Sequence, residues 1–207
     1  MGNNYYFPTV MVENSTGIHT LSSKSLLIKE RVIYLDGPVE DNAVNEAIRI
    51  MLLLCKESQD PITLLIDSPG GSIKAGFALL DAMEAAPCVI KTIALGSASS
   101  MGAVLLAAGT PGHRYVSTRS KVMIHEPLLG CEVSGNTTQM ESIVNNLKER
   151  RETINYMLCQ YTGQNEETMK EATSYDHFFT ATEAVEFGLA DKVLGKELFA
   201  VVMGGVS

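Results

Sequence analysis

The sequence lacks several patterns that mark common functional classes. It has four cysteines in 207 residues, with no C-x-x-C pair and no histidine at metal-ligand spacing. Its formal net charge of -8 leaves no excess of basic residues for nucleic acid. Its longest apolar runs are too short to span a bilayer, and no basic-then-apolar leader is visible. We therefore expect a cytoplasmic protein with reduced thiols and no metal, nucleic-acid or membrane partner.

The composition that is present suits one globular α/β domain. Hydrophobic residues make up 45% and charged residues 19%, and apolar strand patterns alternate with helical periodicity along the chain. The polar residues 1–20 are expected to be loosely tethered, and residues 195–207 form an apolar tail. The longest helical pattern, residues 137–162, exceeds the expected width of the sheet. Its far end therefore needs a partner, and we infer an oligomer.

Several helix boundaries and faces follow from local signals. Asp41 is expected to cap a helix, and Gly163 and Gly188 are expected to end helices. Thr180 and Glu183 have the spacing of a capping box. The helix after Asp41 is predicted to bury an apolar face made of Val44, Ile48, Met51, Leu52 and Cys55.

The stretch Lys91–Ala108 organises the functional hypothesis. Its pattern predicts a buried strand, a tight turn over residues 96–99 and an apolar helix that begins just behind Ser100. The start of a helix offers free backbone N–H groups and a partial positive charge, which favour a serine nucleophile. Ala98-x-Ser100-x-Gly102 also approximates the small-x-Ser-x-Gly pattern of a strand–helix turn. The alternative is that Ser100 only caps a core helix, and the stretch leaves both open.

A serine nucleophile requires a general base and a group that orients the base. Of the four histidines, His125 lies at the end of an apolar strand, where parallel sheets gather their functional loops. Asp67, Asp176 and Asp191 all lie near element ends and are candidates for the orienting carboxylate. An interface role for His125 and a loop role for each carboxylate remain open alternatives.

Two consecutive glycines supply a candidate oxyanion hole. Gly70 and Gly71 permit a backbone amide to approach a substrate carbonyl closely. Together with the Met101 amide, they would present two donors to a developing oxyanion. The alternative is that the pair forms only a turn.

Six stretches of the chain, in matching order and spacing, resemble the ClpP family of proteolytic subunits. The resemblance extends from about Phe7 to Leu194, and the combined pattern is far more specific than any single motif. The matching stretches are Phe7–Val10, Leu26–Ile33, Ser68–Ser72, Ser100–Ala103, Val122–Pro127 and Thr182–Gly188.

The resemblance implies a role for each candidate residue in a serine endopeptidase. Ser100 would be the nucleophile, His125 the general base and Asp176 the orienting acid. The amides of Gly71 and Met101 would form the oxyanion hole. The chain order Ser, His, Asp also disfavours an α/β-hydrolase, in which the acid precedes the histidine.

The resemblance further implies an architecture, an α/β fold of the ClpP/crotonase type with repeated strand–helix units. Residues 1–20 would be an axial segment, residues 21–194 the protease domain and residues 195–207 a tail. The helix at about 137–162 would be a protruding handle that joins two stacked heptameric rings around a chamber. A Clp-type AAA+ unfoldase would hydrolyse ATP and feed unfolded polypeptides into it, and this subunit itself would need no cofactor.

Some positions depart from the family pattern and keep other functions open. Ser174 and Tyr175 replace a charged pair that couples ring contacts to the active state, and Thr63 and Leu65 stand where tyrosines commonly line the unfoldase-docking pocket. These departures motivate an alternative, a weak or inactive ring subunit that activates a second ClpP-type paralogue in mixed rings. A third hypothesis is a crotonase-type acyl-CoA enzyme, which shares the backbone oxyanion device but does not explain the matched serine and histidine.

Two further departures lie close to the expected site. Ser97 and Ser99 are near enough in sequence to compete for the hydrogen bonds of Ser100. Cys131 and Glu132 occur in a less glycine-rich loop where the substrate strand is expected to lie.

Overall fold

The computed structural model describes residues 9–14, 17–129 and 134–203, and it centres on a seven-stranded sheet. The strands are β1 (Thr9–Asn14), β2 (Gly17–Ser22), β3 (Val32–Asp36), β4 (Ile62–Ser68), β5 (Ile90–Ser99), β6 (Arg114–Ser117), β7 (Lys121–Ile124), β8 (His177–Phe179) and β9 (Lys192–Leu194). The helices are α1 (Ser23–Lys29), α2 (Asp41–Glu57), α3 (Ile73–Ala85), α4 (Met101–Ala107), α5 (Thr137–Thr162), α6 (Glu166–Thr173), α7 (Ala181–Phe187) and α8 (Leu198–Val202).

Parallel pairing dominates the sheet, as the alternation of strands and helices predicts. The strand order is β3-β4-β5-β6-β9, all parallel, and β7 pairs in parallel with the far end of β5. β8 joins β7 in the antiparallel direction. The expected α/β fold of repeated strand–helix units is confirmed.

Both faces of the parallel sheet are covered, as a continuous apolar strand such as β4 predicts. Even-numbered residues of β4, from Ile62 to Ile66, belong to the main core, which α2, α3 and α4 help to form. Leu65 lies in a smaller cluster with residues of β3, β5, β9 and α8. The segment 195–207, expected as an apolar tail, therefore includes a helix whose Val201 and Val202 are buried.

The predicted turn over residues 96–99 is wrong, because β5 continues through them. The first half of β5 pairs with β6, and the second half pairs with β7. Between the two halves, Gly96 adopts φ +93, and a Cβ there would lie 2.8 Å from Asp67 Oδ1. The same Oδ1 accepts a hydrogen bond of 3.0 Å from the Ser97 amide. The change of partner directs the end of β5, and the serine that follows it, towards β7.

Two expectations for α2 are wrong. Asp41 is the first residue of the helix rather than its cap, and it forms an ion pair of 3.6 Å with Lys74. Leu52 is 65% exposed. Because α2 packs against α3, the buried stripe is rotated relative to the one that periodicity predicts. That stripe consists of Val44, Ala47, Ile50, Met51 and Leu54.

The predicted boundaries of α5 and α7 are confirmed. Gly163 and Gly188 adopt the left-handed conformation at the ends of α5 and α7. The side chains of Thr180 and Glu183 complete the capping box at the start of α7. These signals act within one turn of a helix, which is why the sequence alone predicts them.

The N-terminal part of the described chain has more regular structure than a loosely tethered segment would have. β1 and β2 form an antiparallel hairpin across six residue pairs, from Thr9 opposite Ser22 to Asn14 opposite Gly17. The strand β2 was not predicted, because its residues are mixed in polarity and its pairing depends on β1.

α5 has the bounds that periodicity predicts, and its N-terminal part projects from the rest of the described chain. Residues 137–153 include none that is buried, and the apolar side chains of Met140 and Val144 are exposed. Burial begins only in the C-terminal part, where the buried residues are Ile154, Asn155 and Leu158.

Arg114, at the start of β6, ties together the ends of three helices. Its Nη1 donates to the carbonyls of Ala107, Tyr161 and Gly188, at or near the C-terminal ends of α4, α5 and α7, over 3.2, 2.7 and 3.0 Å. Its Nε and Nη2 donate to the carboxylate of Asp191. A cation at helix C-terminal ends also meets the negative ends of the helix dipoles. Arg114 thus anchors α4, the helix that follows Ser100.

Replacing Arg114 by Met would leave the Asp191 carboxylate half-buried without its cation. We expect Arg114→Met to lower the free energy of unfolding by about 3 kcal/mol in urea denaturation. Burial acts to raise the pKa of Asp191, but hydrogen bonds from Arg114 lower it overall. A carboxyl group whose pKa is lowered in the folded protein stabilises the fold at pH values above its pKa in the unfolded chain. The stability lost in Arg114→Met should therefore become smaller as the pH falls below about 4.

The matched control is Lys170→Met, which removes an exposed ion pair of 3.4 Å with Glu166. We expect this variant to change stability by less than about 0.5 kcal/mol. An Arg114→Met effect as small as that of the control, or one that stays constant down to pH 3, would contradict the role of this ion pair.

Candidate active site

Ser100 lies at a strained junction between β5 and α4. Its backbone has φ 54 and ψ -122, an unusual conformation for a residue with a side chain. Its amide donates a hydrogen bond of 2.7 Å to the carbonyl of Met123 on β7. Its hydroxyl makes no capping hydrogen bond to α4, so the alternative of a simple helix cap is wrong. The Ser100 Oγ lies instead 2.9 Å from His125 Nε2.

Antiparallel pairing of β7 with β8 brings His125 opposite Asp176. Ile124 and His177 are the last registered pair of these strands, so one further step on each strand reaches His125 and Asp176. The distance between His125 Nδ1 and Asp176 Oδ1 is 3.0 Å. A proton on Nδ1 donates to Asp176 and leaves Nε2 free to accept from a hydroxyl. The three side chains therefore form one hydrogen-bonded chain.

A backbone hydrogen bond holds the segment after His125 against the segment before Asp176. Glu126, the residue after His125, donates from its amide to the carbonyl of Thr173 over 2.7 Å. Thr173 is buried and ends α6, three residues before Asp176. This backbone hydrogen bond fixes the two connections relative to each other. Nothing in the sequence of either segment signals it, because it depends on the packing of α6 against α5.

The other two candidate carboxylates have different partners. Asp67 accepts from the amide of Ser97, and Asp191 pairs with Arg114. Asp176 is the candidate that the fold brings to His125. Its carboxylate is 59% exposed, whereas the His125 side chain is only 14% exposed. Water therefore competes for Asp176 much more than for the imidazole.

The glycine pair packs directly against the Ser100 junction. A Cβ on Gly70, which has φ +94, would lie 2.6 Å from the Ser100 Cβ and 3.2 Å from the Met101 nitrogen. The residue pattern named both glycines and the family resemblance named Gly71 as the oxyanion donor, whereas Gly70 is the residue that makes this close approach. The doubled glycine was the available signal, and it does not distinguish the two positions.

The backbone around Gly71 leaves its amide unpaired among the described residues. Gly71 forms a parallel bridge with Val39, in which the Gly70 carbonyl accepts from Val39 and the Ser72 amide donates to it. In that pattern the Gly71 N–H faces away from Val39. The Met101 amide, at the first position of α4, also donates to no acceptor in the described ranges. Two backbone donors are thus available near Ser100.

The neighbouring hydroxyls do not compete with Ser100. Ser97 Oγ and Ser99 Oγ lie 3.1 Å apart and bond to each other. An apolar recess opens beside Ser100 and His125. It is lined by Ile73, Met101, Val104, Ile124, Ile154 and Leu158.

The residues that depart from the family pattern differ in their exposure to solvent. Tyr175 is 85% exposed and Ser174 is also exposed, so neither packs into the fold. Leu65 is buried in the small cluster that includes α8. Glu126 forms an ion pair of 3.4 Å with Arg151 of α5. Cys131 and Glu132 lie outside the described residues.

The described ranges contain neither a metal-ligand cluster nor a membrane-spanning helix. These ranges hold no group of three or more His, Cys, Asp or Glu side chains placed to bind a metal ion. Among the same residues, every helix is too short or too polar to cross a bilayer.

Most of the chain matches a known protein family. The model of a family described as Clp protease matches residues 15–197 of this chain. The matched span contains Ser100, His125, Asp176 and the whole of α5.

Proposed function

The chain belongs to the Clp protease family, and from this premise we propose that it is a serine endopeptidase that uses Ser100, His125 and Asp176. The observation that carries the proposal is the continuous chain of hydrogen bonds, 2.9 Å from Ser100 Oγ to His125 Nε2 and 3.0 Å from His125 Nδ1 to Asp176 Oδ1. A nucleophile, a base and an orienting acid in this geometry are what acyl transfer to serine requires.

The proposed reaction uses each group at a stated atom. Ser100 Oγ attacks the peptide carbonyl carbon while its proton passes to His125 Nε2. The resulting oxyanion accepts hydrogen bonds from the amides of Gly71 and Met101. The same proton then passes from Nε2 to the leaving amine, and a serine ester remains. Water, activated by His125, hydrolyses the ester, and Asp176 stabilises the imidazolium in both halves.

The recess beside Ser100 is apolar but small, with a cavity volume of about 20 Å³. Its lining side chains come from α3, α4, β7 and α5 and carry no charge. A space of that size holds about one water molecule, so the recess as it stands does not accommodate a substrate side chain.

The projecting part of α5 supports the proposal of a larger assembly. A helix with exposed apolar residues and no buried residue over 137–153 needs a partner, and a second ring of the same chain would supply one. We place the handle there, in two stacked heptameric rings that enclose unfolded polypeptides. A Clp-type AAA+ unfoldase would supply ATP hydrolysis, and this subunit would carry no cofactor.

The proposed division of the chain follows the same scheme. Residues 1–20 would form an axial segment, 21–194 the protease domain and 195–207 the tail. The hairpin of β1 and β2 extends to Ser22, two residues beyond the first boundary. α8 in the tail packs on the sheet, so the tail would move with the protease domain.

A second candidate function is a weakly active ring subunit that activates a ClpP-type paralogue in mixed rings. The observations that favour it are the exposure of Asp176 and the replacement of the usual charged pair by Ser174 and Tyr175. An acyl-CoA enzyme has lost support, because that chemistry has no use for a serine, histidine and carboxylate chain.

Native mass spectrometry of the full chain, combined with cleavage of a fluorogenic apolar peptide, separates these functions. A tetradecamer that cleaves the peptide is the expected result. A tetradecamer that cleaves only after mixing with a ClpP-type paralogue supports the second candidate. A monomer that cleaves nothing, alone or mixed, contradicts both.

Gly70→Ala tests the contact between the glycine turn and the nucleophile. The added Cβ would lie 2.7 Å from the Ser99 carbonyl as well as close to Ser100. Either the glycine turn or the junction at Ser100 must therefore move. We expect kcat/KM for peptide cleavage to fall by about 10² or more, since displacement of a nucleophile by an ångström has that effect.

Gly112→Ala is the matched control for this prediction. Gly112 also has a positive φ, +84, but no atom lies within 4 Å of its would-be Cβ. It therefore carries the backbone strain without the collision, and we expect activity within about threefold of the wild type. Equal losses in the two variants would show that strain alone explains the effect of Gly70→Ala.

A further inference from the structure

Two cysteine side chains from separate elements meet near the N-terminal end of β5, far from the candidate active site. The Sγ atoms of Cys55, in α2, and Cys88, in the connection between α3 and β5, lie 4.0 Å apart. The two residues are 33 positions apart in the sequence, so the fold rather than local spacing creates the pair. Both thiols are free and both residues are half-buried.

The backbone on each side of the pair is held firmly. Arg31 donates to the carbonyls of Leu54 and Ser58 over 3.0 and 3.2 Å, which fixes the end of α2 around Cys55. Val89, the residue after Cys88, accepts a hydrogen bond of 2.9 Å from the Ile62 amide at the start of β4. The backbone therefore holds the two thiols close to each other.

The chemistry of the pair favours a dithiol over a metal site. A bound soft metal requires further ligands, and the described residues offer no third His, Cys, Asp or Glu beside the pair. Burial, together with the adjacent Cys88 thiol, raises the pKa of Cys55. A raised pKa lowers the fraction of Cys55 present as thiolate, so the pair rests as two thiols and its exchange with a disulfide is slow.

We propose that Cys55 and Cys88 form a redox-sensitive dithiol that closes to a disulfide by exchange with a low-molecular-weight disulfide such as glutathione disulfide. The thiolate of one cysteine attacks a sulfur of glutathione disulfide, which forms a mixed disulfide and releases one glutathione. The second thiolate attacks the protein sulfur of that mixed disulfide and releases the other glutathione. Two protein thiols are oxidised, one disulfide is reduced, and the two protons pass to the two glutathiones.

Closing the disulfide requires the two sulfurs to move towards each other. A disulfide needs the sulfurs about 2 Å apart, so the present separation must shorten by about half. The closed ring would contain the end of α2, all of β4 and all of α3, including the turn at Gly70 and Gly71. The disulfide would link the end of α2 covalently to the residues just before β5.

The dithiol is independent of the proposed peptidase chemistry. Cys88 lies just before the start of β5, and Ser100 follows its end, so about 30 Å of strand separates the two sites. The inference can therefore fail while the proposed function holds, and the reverse is also true.

Peptide mapping of the full-length protein after treatment with glutathione disulfide tests the proposal. The treated protein is alkylated, digested without reduction and analysed by mass spectrometry. We expect loss of two of its four thiols and a linked peptide pair that contains Cys55 and Cys88. The linkage should form equally in Ser100→Ala, disappear in Cys55→Ser and in Cys88→Ser, and return to free thiols on addition of dithiothreitol.

Cys159→Ser is the matched control, because Cys159 is also a free, half-buried thiol but contacts no other cysteine sulfur among the described residues. It should form the Cys55–Cys88 link like the wild type. Separate glutathione adducts on Cys55 and Cys88 that persist, or both residues remaining alkylated while another cysteine reacts, would overturn the proposal.

Discussion

Ser100→Ala is expected to lower kcat for peptide cleavage by about 10⁴-fold or more, with little change in native mass or circular dichroism. The proposed mechanism forms a covalent bond to Ser100 Oγ, and within the described residues no other hydroxyl is hydrogen-bonded to His125. Removal of the nucleophile in a serine protease leaves only the contribution of substrate binding and the oxyanion donors. The measurement is hydrolysis of a fluorogenic peptide by the assembled protein.

Ser99→Ala is the matched control for that variant. Ser99 precedes the nucleophile in the chain, but its hydroxyl bonds to Ser97. We expect its activity to stay within about threefold of the wild type, since the hydroxyl takes no part in the proposed proton transfer. If Ser100→Ala kept a tenth of the activity, or Ser99→Ala lost as much as Ser100→Ala, the assignment of the nucleophile would be wrong.

His125→Ala is expected to produce a comparable loss, about 10⁴-fold or more in kcat. Without Nε2, the Ser100 hydroxyl has no base at 2.9 Å to receive its proton. Because the two groups act as one unit, the double variant Ser100→Ala/His125→Ala should be no slower than the slower single variant. Steady-state kinetics of the three variants measures this non-additivity.

His177 provides the control for the imidazole. It lies two residues before Phe179, stacks on that ring at a centroid distance of 4.3 Å and is exposed. We expect His177→Ala to keep activity within about threefold. Losses in the double variant that equal the product of the single losses would show that Ser100 and His125 act separately, against the mechanism.

The sequence predicts those features of the fold that depend on neighbours in the chain. The bounds of α5 follow from periodicity, and the ends of α5 and α7 follow from Gly163 and Gly188. The strand before His125 follows from a short apolar run. In each case the physical cause lies within a few residues of the feature.

Features that depend on distant parts of the chain were predicted wrongly or not at all. The Gly96 region was expected to turn, but its pairing with β7 keeps it in the strand. Which face of α2 is buried depends on its contact with α3, and the periodicity of the α2 sequence gives no information about that contact. The unusual φ of Ser100 arises from that same extended β5 and the short distance to α4.

The candidate site shows the same division. Ser100 and His125 each carry a local signal, a strand–helix junction and a strand end. Asp176 carries a weaker one, the two aromatic residues that follow closely, and residue patterns alone left Asp67 and Asp191 as further candidates. Its approach to His125 depends on the antiparallel pairing of β7 with β8, which joins segments 51 positions apart. From the sequence, Asp176 was favoured by the family resemblance and by its position before Phe178 and Phe179, of which only Phe179 is buried.

The most direct test of the proposed mechanism is to label the assembled protein with a fluorophosphonate and to map the modified peptide by mass spectrometry. The account predicts a single adduct on Ser100, absent in Ser100→Ala and strongly reduced in His125→Ala. An adduct on a different serine, or no adduct on an intact double ring, would contradict it.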